Sequence, residues 1–321
     1  MRIITLEEHH ASPNYLQLVA PNLLKQPELA NRLIDIGEGR ISAMDDAGVD
    51  MQVLSLSTPG VEQLDSDIAI ALSREENDRR GEAVKAYPTR FAGFATLPIS
   101  VPEAAAAELD RTVTEYGFVG ALINGHSRGR YLDDDTFRPI WECAAALGVP
   151  IYLHPTPPPQ SVIDTWYSGF SEEVTGWLST AAWGWHIETA VHVLRLIVGG
   201  VFDRFPNVQI IVGHLGEGLV AMMPRIAYRL PVNVTGLQRS VDEYLRENVH
   251  YTTSGFNYES IFRDLVAQVG IDRIMFSVDY PFLPLPGSRE FLEGLPLTDQ
   301  DRHRIAHGNA QRLLGIPAER A

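Results

Sequence analysis

Lysine is nearly absent from this chain: of 26 basic residues among 321, only Lys25 and Lys85 are lysines. Cysteine is scarcer still. Cys143 stands alone, which excludes an intrachain disulfide, and within the helical pattern of residues 141–147 it reads as a small buried helix residue. No run of eighteen apolar residues occurs, and the chain opens on strand-like sequence instead of a charged and then apolar leader. We therefore expect neither a membrane span nor a signal peptide, and a cytoplasmic protein. No G-x-G-x-x-G or Walker-type loop is present, so the usual signatures of nucleotide binding are missing. Positive charge is short as well, with 41 acids giving a formal charge of −15. Nucleic acid and anionic membrane, which bind basic surfaces, are excluded as partners. An anionic small substrate would need a local positive centre, which a metal ion can supply.

What is present is a regular beat. Residues 3–10, 50–57, 90–97, 118–124, 149–154, 209–213, 250–253 and 273–278 read as eight strands. Helical spacing fills residues 27–47, 68–87, 102–116, 136–147, 187–198, 217–228 and 258–269, and a closing helix covers 299–314. Gly48, Gly117 and Gly315 stand where helices stop, and Pro102 suits a first turn. Eight strands, nearly all followed by helix, argue for the α/β class and one (β/α)₈ TIM barrel over residues 1–321. A doubly wound sheet alternates similarly, but usually with fewer strands and a glycine-rich phosphate loop. The beat breaks after the fifth strand, at about 156–183, where prolines give way to Trp166, Tyr167, Phe170, Glu172 and Glu173. An insertion of that length is a lid or a partner surface.

In such a barrel the active site forms at the C-terminal ends of the strands. Strand one ends in Glu7-Glu8-His9-His10, strand five in His154-Pro155, strand six in Gly213-His214-Leu215-Gly216-Glu217-Gly218 and strand eight in Ser277-Val278-Asp279-Tyr280-Pro281. Residues two apart on a strand share a face, so Glu7 pairs with His9 and Glu8 with His10. Either pair is half of a site for a divalent ion such as Zn²⁺ or Mn²⁺, because carboxylate oxygen and imidazole nitrogen suit both. One histidine at one strand end is more often structural than a ligand. Four such ends together favour a metal-dependent enzyme.

The runs LEEH (6–9), GFVGALING (117–125), YLHP (152–155), ETAVH (188–192), VFDRFP (201–206), GHLGEG (213–218), TTSG (252–255) and FSVDYPF (276–282) carry a resemblance over essentially the whole chain. It resembles the amidohydrolase superfamily, in the branch of non-oxidative aromatic acid decarboxylases. Within that branch it is most similar to those acting on γ-resorcylate (2,6-dihydroxybenzoate), with 2,3-dihydroxybenzoate and 5-carboxyvanillate decarboxylases as relatives. The resemblance implies a mononuclear site of Glu7, His9, His154 and Asp279 holding one divalent ion, Zn²⁺ or Mn²⁺, with no organic cofactor. That parity agrees with the leucine register without following from it, and it leaves Glu8 and His10 to face outward or line the rim. Hydrolases of the superfamily often hold two metals through H-x-H and a carboxylated lysine on strand four. Here Glu7 replaces the first histidine and neither lysine is near a strand end, so a lysine-bridged pair of metals is excluded.

The chemistry follows from these groups. Loss of CO₂ straight from a benzoate would leave an aryl anion with no electron sink, so a workable route first protonates the ring carbon that bears the carboxylate. An ortho hydroxyl makes that carbon electron-rich, and a metal can chelate the phenolate and carboxylate oxygens together. The resemblance implies Asp279 as proton donor, His214 beside it as the alternative donor, and Glu217 orienting His214. Arg225 matches a family arginine near the substrate, although the family's R-I-D-H-R is here Arg225-Ile226-Ala227-Tyr228-Arg229, which bears on any subunit contact there. Trp185 and Phe282 are candidate walls for an aromatic ring, and Asn124 and His126 candidates at the mouth. His186, His192, His250, His303 and His307 read as structural or solvated. The expected partner is a small aromatic carboxylate substrate, and the insertion together with the resemblance implies a homo-oligomer, dimer or tetramer. A mononuclear hydrolase of a lactone or amide, with His214 as general base, is the second reading, and a metal-holding scaffold the third.

Overall fold

Eight parallel strands form the centre of the fold in a computed structural model that describes residues 1–318. β1 (Ile4–His10), β2 (Met51–Leu56) and β3 (Phe91–Gly93) pair in order, as do β4 (Ala121–Asn124), β5 (Ile151–His154), β6 (Ile210–Val212), β7 (Val249–Thr252) and β8 (Ile274–Met275). Two parallel bridges, Ala95 with Ala121 and Leu6 with Ser277, join the groups and close the barrel. Ile4, Leu6, Val53, Phe94, Tyr152 and Ile211 fill its interior. Ile3, Leu54, Ile123, Leu153 and Val212 point the other way, into the layer beneath the helices. Burial on both faces explains why these strands read as near-continuous apolar runs. Each such side chain contributes about 1.5–3 kcal/mol through its removal from water. Ala310, Leu314 and Ile316 from the end of the chain join the interior cluster and seal the end of the barrel opposite the strand C-termini.

The helix over Pro102–Tyr116 lies where its periodicity predicts, ended by Gly117 at φ 68°. Other elements differ for identifiable reasons. The single helix expected over 27–47 is two, Pro27–Ile34 and Glu38–Ala47, because Asp35 accepts a hydrogen bond from the Gly37 amide (2.8 Å) and turns the chain. A helix over Pro13–Leu18, capped by Ser12, has too few apolar positions to announce itself. The helix expected from 217 starts later, at Met223–Arg229 behind a single 3₁₀ turn, since His214, Leu215 and Glu217 adopt left-handed backbone. The 156–183 segment carries short helical pieces, Gln160–Val162, Ile163–Tyr167 and Glu172–Ser179, with no strand. Trp166, Phe170 and Trp177 on it are each about 60% exposed. No helix among the described residues is long and apolar enough to cross a membrane.

Helix Gly184–Val198 fastens the loop after β4 to the barrel. Its His192 accepts a hydrogen bond from the Leu132 amide (2.9 Å), and Arg195 pairs with Asp133 at 2.9 Å. His192 is buried, as is His250 on β7, whose Nε2 accepts from Arg273 (3.0 Å). Burial first, and neighbouring positive charge second, lowers both to about 3 from 6.5. Between those values the unfolded chain binds protons that the folded chain refuses, so stability falls as pH drops below 6.5. Each histidine contributes a slope of up to about 1.4 kcal/mol per pH unit. These two histidines therefore pull denaturant midpoints down from pH 6.5 to 4.5, against the opposite pull of buried carboxyls raised as Glu8 is. His192→Gln, which keeps an acceptor for the Leu132 amide, should remove one histidine's share of that slope, and an unchanged slope would contradict this account.

Candidate active site

The site begins with an irregularity in β1. Its pairing with β2 runs Thr5 to Gln52 and then Glu8 to Leu54, so Leu6 and Glu7 together stand opposite one residue, Val53. Glu7 absorbs the extra residue with φ 62°. Strict alternation from Leu6 would have turned Glu8 and His10 to the axis. The bulge instead keeps Leu6 in the interior and turns Glu7 and His9 inward, so the leucine register does not support the ligand parity. Glu8 and His10 face outward from the axis, as expected, but reach neither solvent nor the rim, since both are fully buried behind the strand. Glu8 accepts from the Val278 amide (3.0 Å) and from Gln52 (3.2 Å), and burial pushes its carboxyl up to about 8. His10 accepts from Arg80 Nε (2.8 Å), and burial, then the charges of Arg80 and Arg79, hold its ring neutral.

Four strand ends then converge. His154 Nε2 lies 3.1 Å from Glu7 Oε1, and His9 Nε2 lies 3.2 Å from Asp279 Oδ1. Glu7 Oε1 and His9 Nε2 are buried without any hydrogen bond. The other Glu7 oxygen accepts from the hydroxyls of Tyr152 and Ser254, which Thr252 joins at 2.7 and 2.6 Å. The outer nitrogens of the rings are fixed too. His9 Nδ1 meets Ser55 Oγ at 3.2 Å, and His154 Nδ1 meets Thr58 Oγ1 at 3.2 Å and donates to the Pro155 carbonyl at 2.9 Å. With its proton on Nδ1, His154 turns a lone pair toward the Glu7 carboxylate. Two acceptors this close repel unless a cation lies between them. Separations near 3 Å are what metal–ligand bonds of about 2.0–2.2 Å impose on neighbouring donor atoms, so the residues present fit a divalent ion.

Beside this cluster sits a second. Glu217, fully buried, lies 2.7 Å from His214 Nδ1 with one oxygen and bonds His186 Nδ1 with the other. These contacts are too short for two donors sharing one metal and are charge-assisted hydrogen bonds. His214 Nε2 faces the first cluster, 3.7 Å from Glu7 Oε1 and 3.9 Å from Asp279 Oδ2. Burial opposes the charge on every one of these groups, and their mutual attraction outweighs it. Glu217 and Glu7 raise His214 well above the usual imidazole range, while His214 and His9 draw Asp279 down to about 2 and His214 with His186 draw Glu217 to about 2. In the metal-free chain these directions favour the proton on His214 over the carboxylates around it. Six residues here, Glu7, His214, Leu215, Glu217, Ser254 and Asp279, have left-handed backbone, and Arg128 is the only other such non-glycine residue among those described. Each holds about 1–3 kcal/mol of strain, a concentration typical of functional sites.

The other expected residues sort by position. Phe282 is 39% exposed and its ring centre is 5.7 Å from that of His9, at the mouth. Trp185 touches the site only through His186, to which its Nε1 donates (3.2 Å). Asn124 is buried behind His154, accepting from Thr58 (3.2 Å) and held by Glu62 through its backbone amide (2.7 Å). His126 is occupied with Gln63 and the Gly129 amide. Arg225 is exposed, and no contact joins it to the cluster. His186, read as structural or solvated, belongs to the site, a correction that its position on a helix instead of a strand end explains. Tyr152, Ser254 and Phe256 also went unread, although YLHP and TTSG contain the first two.

Known proteins resemble this chain over nearly its whole length. The profile of the amidohydrolase family matches residues 8–316. A γ-resorcylate decarboxylase from Polaromonas is 41% identical over 326 residues, covering 98% of each chain. The solved dihydroxybenzoic acid decarboxylase from Polaromonas, with bound manganese and the inhibitor 2-nitroresorcinol, superposes with a TM-score of 0.91 at 39% identity, covering 99% of this chain and 98% of that one. A 2,6-dihydroxybenzoate decarboxylase complexed with 2,6-dihydroxybenzoate gives 0.89 at 38% identity, covering 98% and 100%. By descent and by the architecture of its strand ends, this chain belongs to the amidohydrolase family.

Proposed function

We propose that the protein is a metal-dependent, non-oxidative decarboxylase of ortho-hydroxybenzoates, of the γ-resorcylate type, and that Glu7, His9, His154 and Asp279 hold one divalent ion. The observation that carries this reading is the pair of buried, unpartnered ligand atoms, Glu7 Oε1 and His9 Nε2, with His214 Nε2 set 3.7 Å from the first of them. Manganese in a solved relative supports Mn²⁺, and the O,N donor set suits Mn²⁺ as well as Zn²⁺. The ion, when bound, supplies the positive charge that gathers a carboxylate and an ortho oxygen on one face of the ring.

The side chains do the rest. Glu217 accepts a hydrogen bond from His214 Nδ1–H, which leaves the Nε2 proton directed to the space between Glu7 and Asp279. From there it passes to the ring carbon that bears the carboxylate, directly or through Asp279 Oδ2. The carbon–carboxylate bond then breaks and its electron pair returns to the ring, restoring aromaticity as CO₂ leaves. Phe282 shields the mouth with an apolar face, Trp185 acts behind His186, and Asn124 steadies His154 through Thr58. The reading assigns no role to Arg225.

The exposed Trp166, Phe170 and Trp177 support a second copy of the chain covering the 156–183 segment. Sedimentation as a monomer at working concentration would count against that. The unpaired, half-buried thiol of Cys143 suits the reducing cytoplasm.

Metal-replete protein should convert 2,6-dihydroxybenzoate to resorcinol and CO₂. Failure to turn over this acid, 2,3-dihydroxybenzoate, salicylate and 5-carboxyvanillate alike would sink the proposal, and a ring-opened acid from a lactone would favour the hydrolase. Glu7→Gln and His9→Ala should lose metal and activity together. Glu8→Gln should keep both, because a carboxyl pushed up to about 8 is already neutral at pH 7, and its amide differs little in shape. Metal loss in Glu8→Gln would show the assignment of the two pairs to be wrong.

A further inference from the structure

We propose that His186 is a positioning residue for the proton donor: it fixes the Glu217 carboxylate so that His214 presents Nε2 to the reacting carbon, and it ties that arrangement to the end of the 156–183 segment. The inference rests on the reading of His214 as donor. Glu217 stands in a loop of left-handed turns, at φ 55°, and no backbone ladder steadies it. Among the described residues its carboxylate bonds to two imidazoles, one on each oxygen. A carboxylate held at one oxygen turns about its own bond, whereas one held at both has a fixed plane, and that plane sets the tilt of His214.

The packing supports the same conclusion. The rings of His186 and His214 are 4.8 Å apart, and both meet Phe256, at 5.3 and 5.1 Å. The outer nitrogen of His186 faces the indole N–H of Trp185 at 3.2 Å and the carbonyl of Ala181 at 3.0 Å. The indole can only donate and the carbonyl only accept, so Nε2 finds a partner with or without a proton of its own. Nδ1 thereby keeps its proton toward Glu217 in either state. Ala181 lies near the end of the irregular segment, and the helix that carries His186 is pinned to the loop after β4 by Glu188 with Tyr131 (2.5 Å) and Arg195 with Asp133. His186 thus stands on a fixed base and reaches from the insertion to the donor. A residue present only to fill space here would need no nitrogen toward Glu217.

The test compares metal-loaded wild type, His186→Phe and His186→Asn, the last because its amide N–H falls close to the place of Nδ1. With 2,6-dihydroxybenzoate, and at temperatures where it remains folded, His186→Phe should keep metal content and KM while kcat falls about 10–100-fold, the range expected for an outer hydrogen-bond partner. His186→Asn should recover most of that loss. In protein labelled with ¹⁵N-histidine, the Nδ1–H resonance of His214 should move in His186→Phe and return toward its place in His186→Asn. Unchanged kcat in His186→Phe, equal loss in both variants, or an unmoved His214 resonance would overturn the proposal. If the wild type turns over no hydroxybenzoate, the proposed function fails, and the resonance alone then decides the placement of His214: movement supports it and constancy overturns it.

Discussion

A carboxylate buried at the top of the barrel, with one oxygen satisfied and the other not, is the constraint to which the rest of the site answers. Glu7 has no solvent to stabilise its charge, and an unpaired charge in such a place is destabilising by several kcal/mol. Tyr152 and Ser254 satisfy one oxygen. The second faces a histidine lone pair at 3.1 Å. In the free chain the protonated His214 nearby compensates in part, which is how Glu7 stays below the usual carboxylate range against the effect of burial. A divalent ion would complete the compensation. The bulge in β1 exists to deliver this group: without the extra residue, the same strand would turn Glu8 and His10 to the axis.

Two clusters with different spacing divide the work. Donor atoms about 3 Å apart and lacking hydrogen bonds suit a metal. Closer, mutually satisfied atoms around Glu217 suit a stored proton. Their contact, through His214 Nε2 toward Glu7 and Asp279, places the proton beside the substrate's expected position. The arrangement also bears on Asp279, which the proposed reading would have both bind the metal and pass on a proton. Asp279 is drawn down to about 2 by His214 and His9, so the imidazole is the better reservoir, and Asp279 is left to relay.

Much of this was legible in the sequence, and the reasons are physical. Strands buried on both faces leave apolar runs, and a barrel places its chemistry at strand ends, so Glu7, His9, His154, His214 and Asp279 stood out by position. What was not legible depends on departures from regularity. A bulge at Glu7 leaves no mark in the alternation of residue types, so the choice between the two acid and histidine pairs came from resemblance, and the complete burial of the outward Glu8 and His10 had no sign in the sequence. His186 lies on a helix, where a histidine carries no positional signal, and only the fold brings it to Glu217. The hydroxyls of Tyr152 and Ser254 are ordinary strand-end residues until the barrel closes and turns them to one carboxylate.

The central claim is that the metal sits among Glu7, His9, His154 and Asp279 and not in the neighbouring histidine cluster. Anomalous diffraction from crystals grown with Mn²⁺ tests it most directly. The account predicts one peak per chain within bonding distance, about 2.0–2.2 Å, of those four side chains. A peak at Glu217 between His186 and His214, or no peak at the four strand ends, would contradict it.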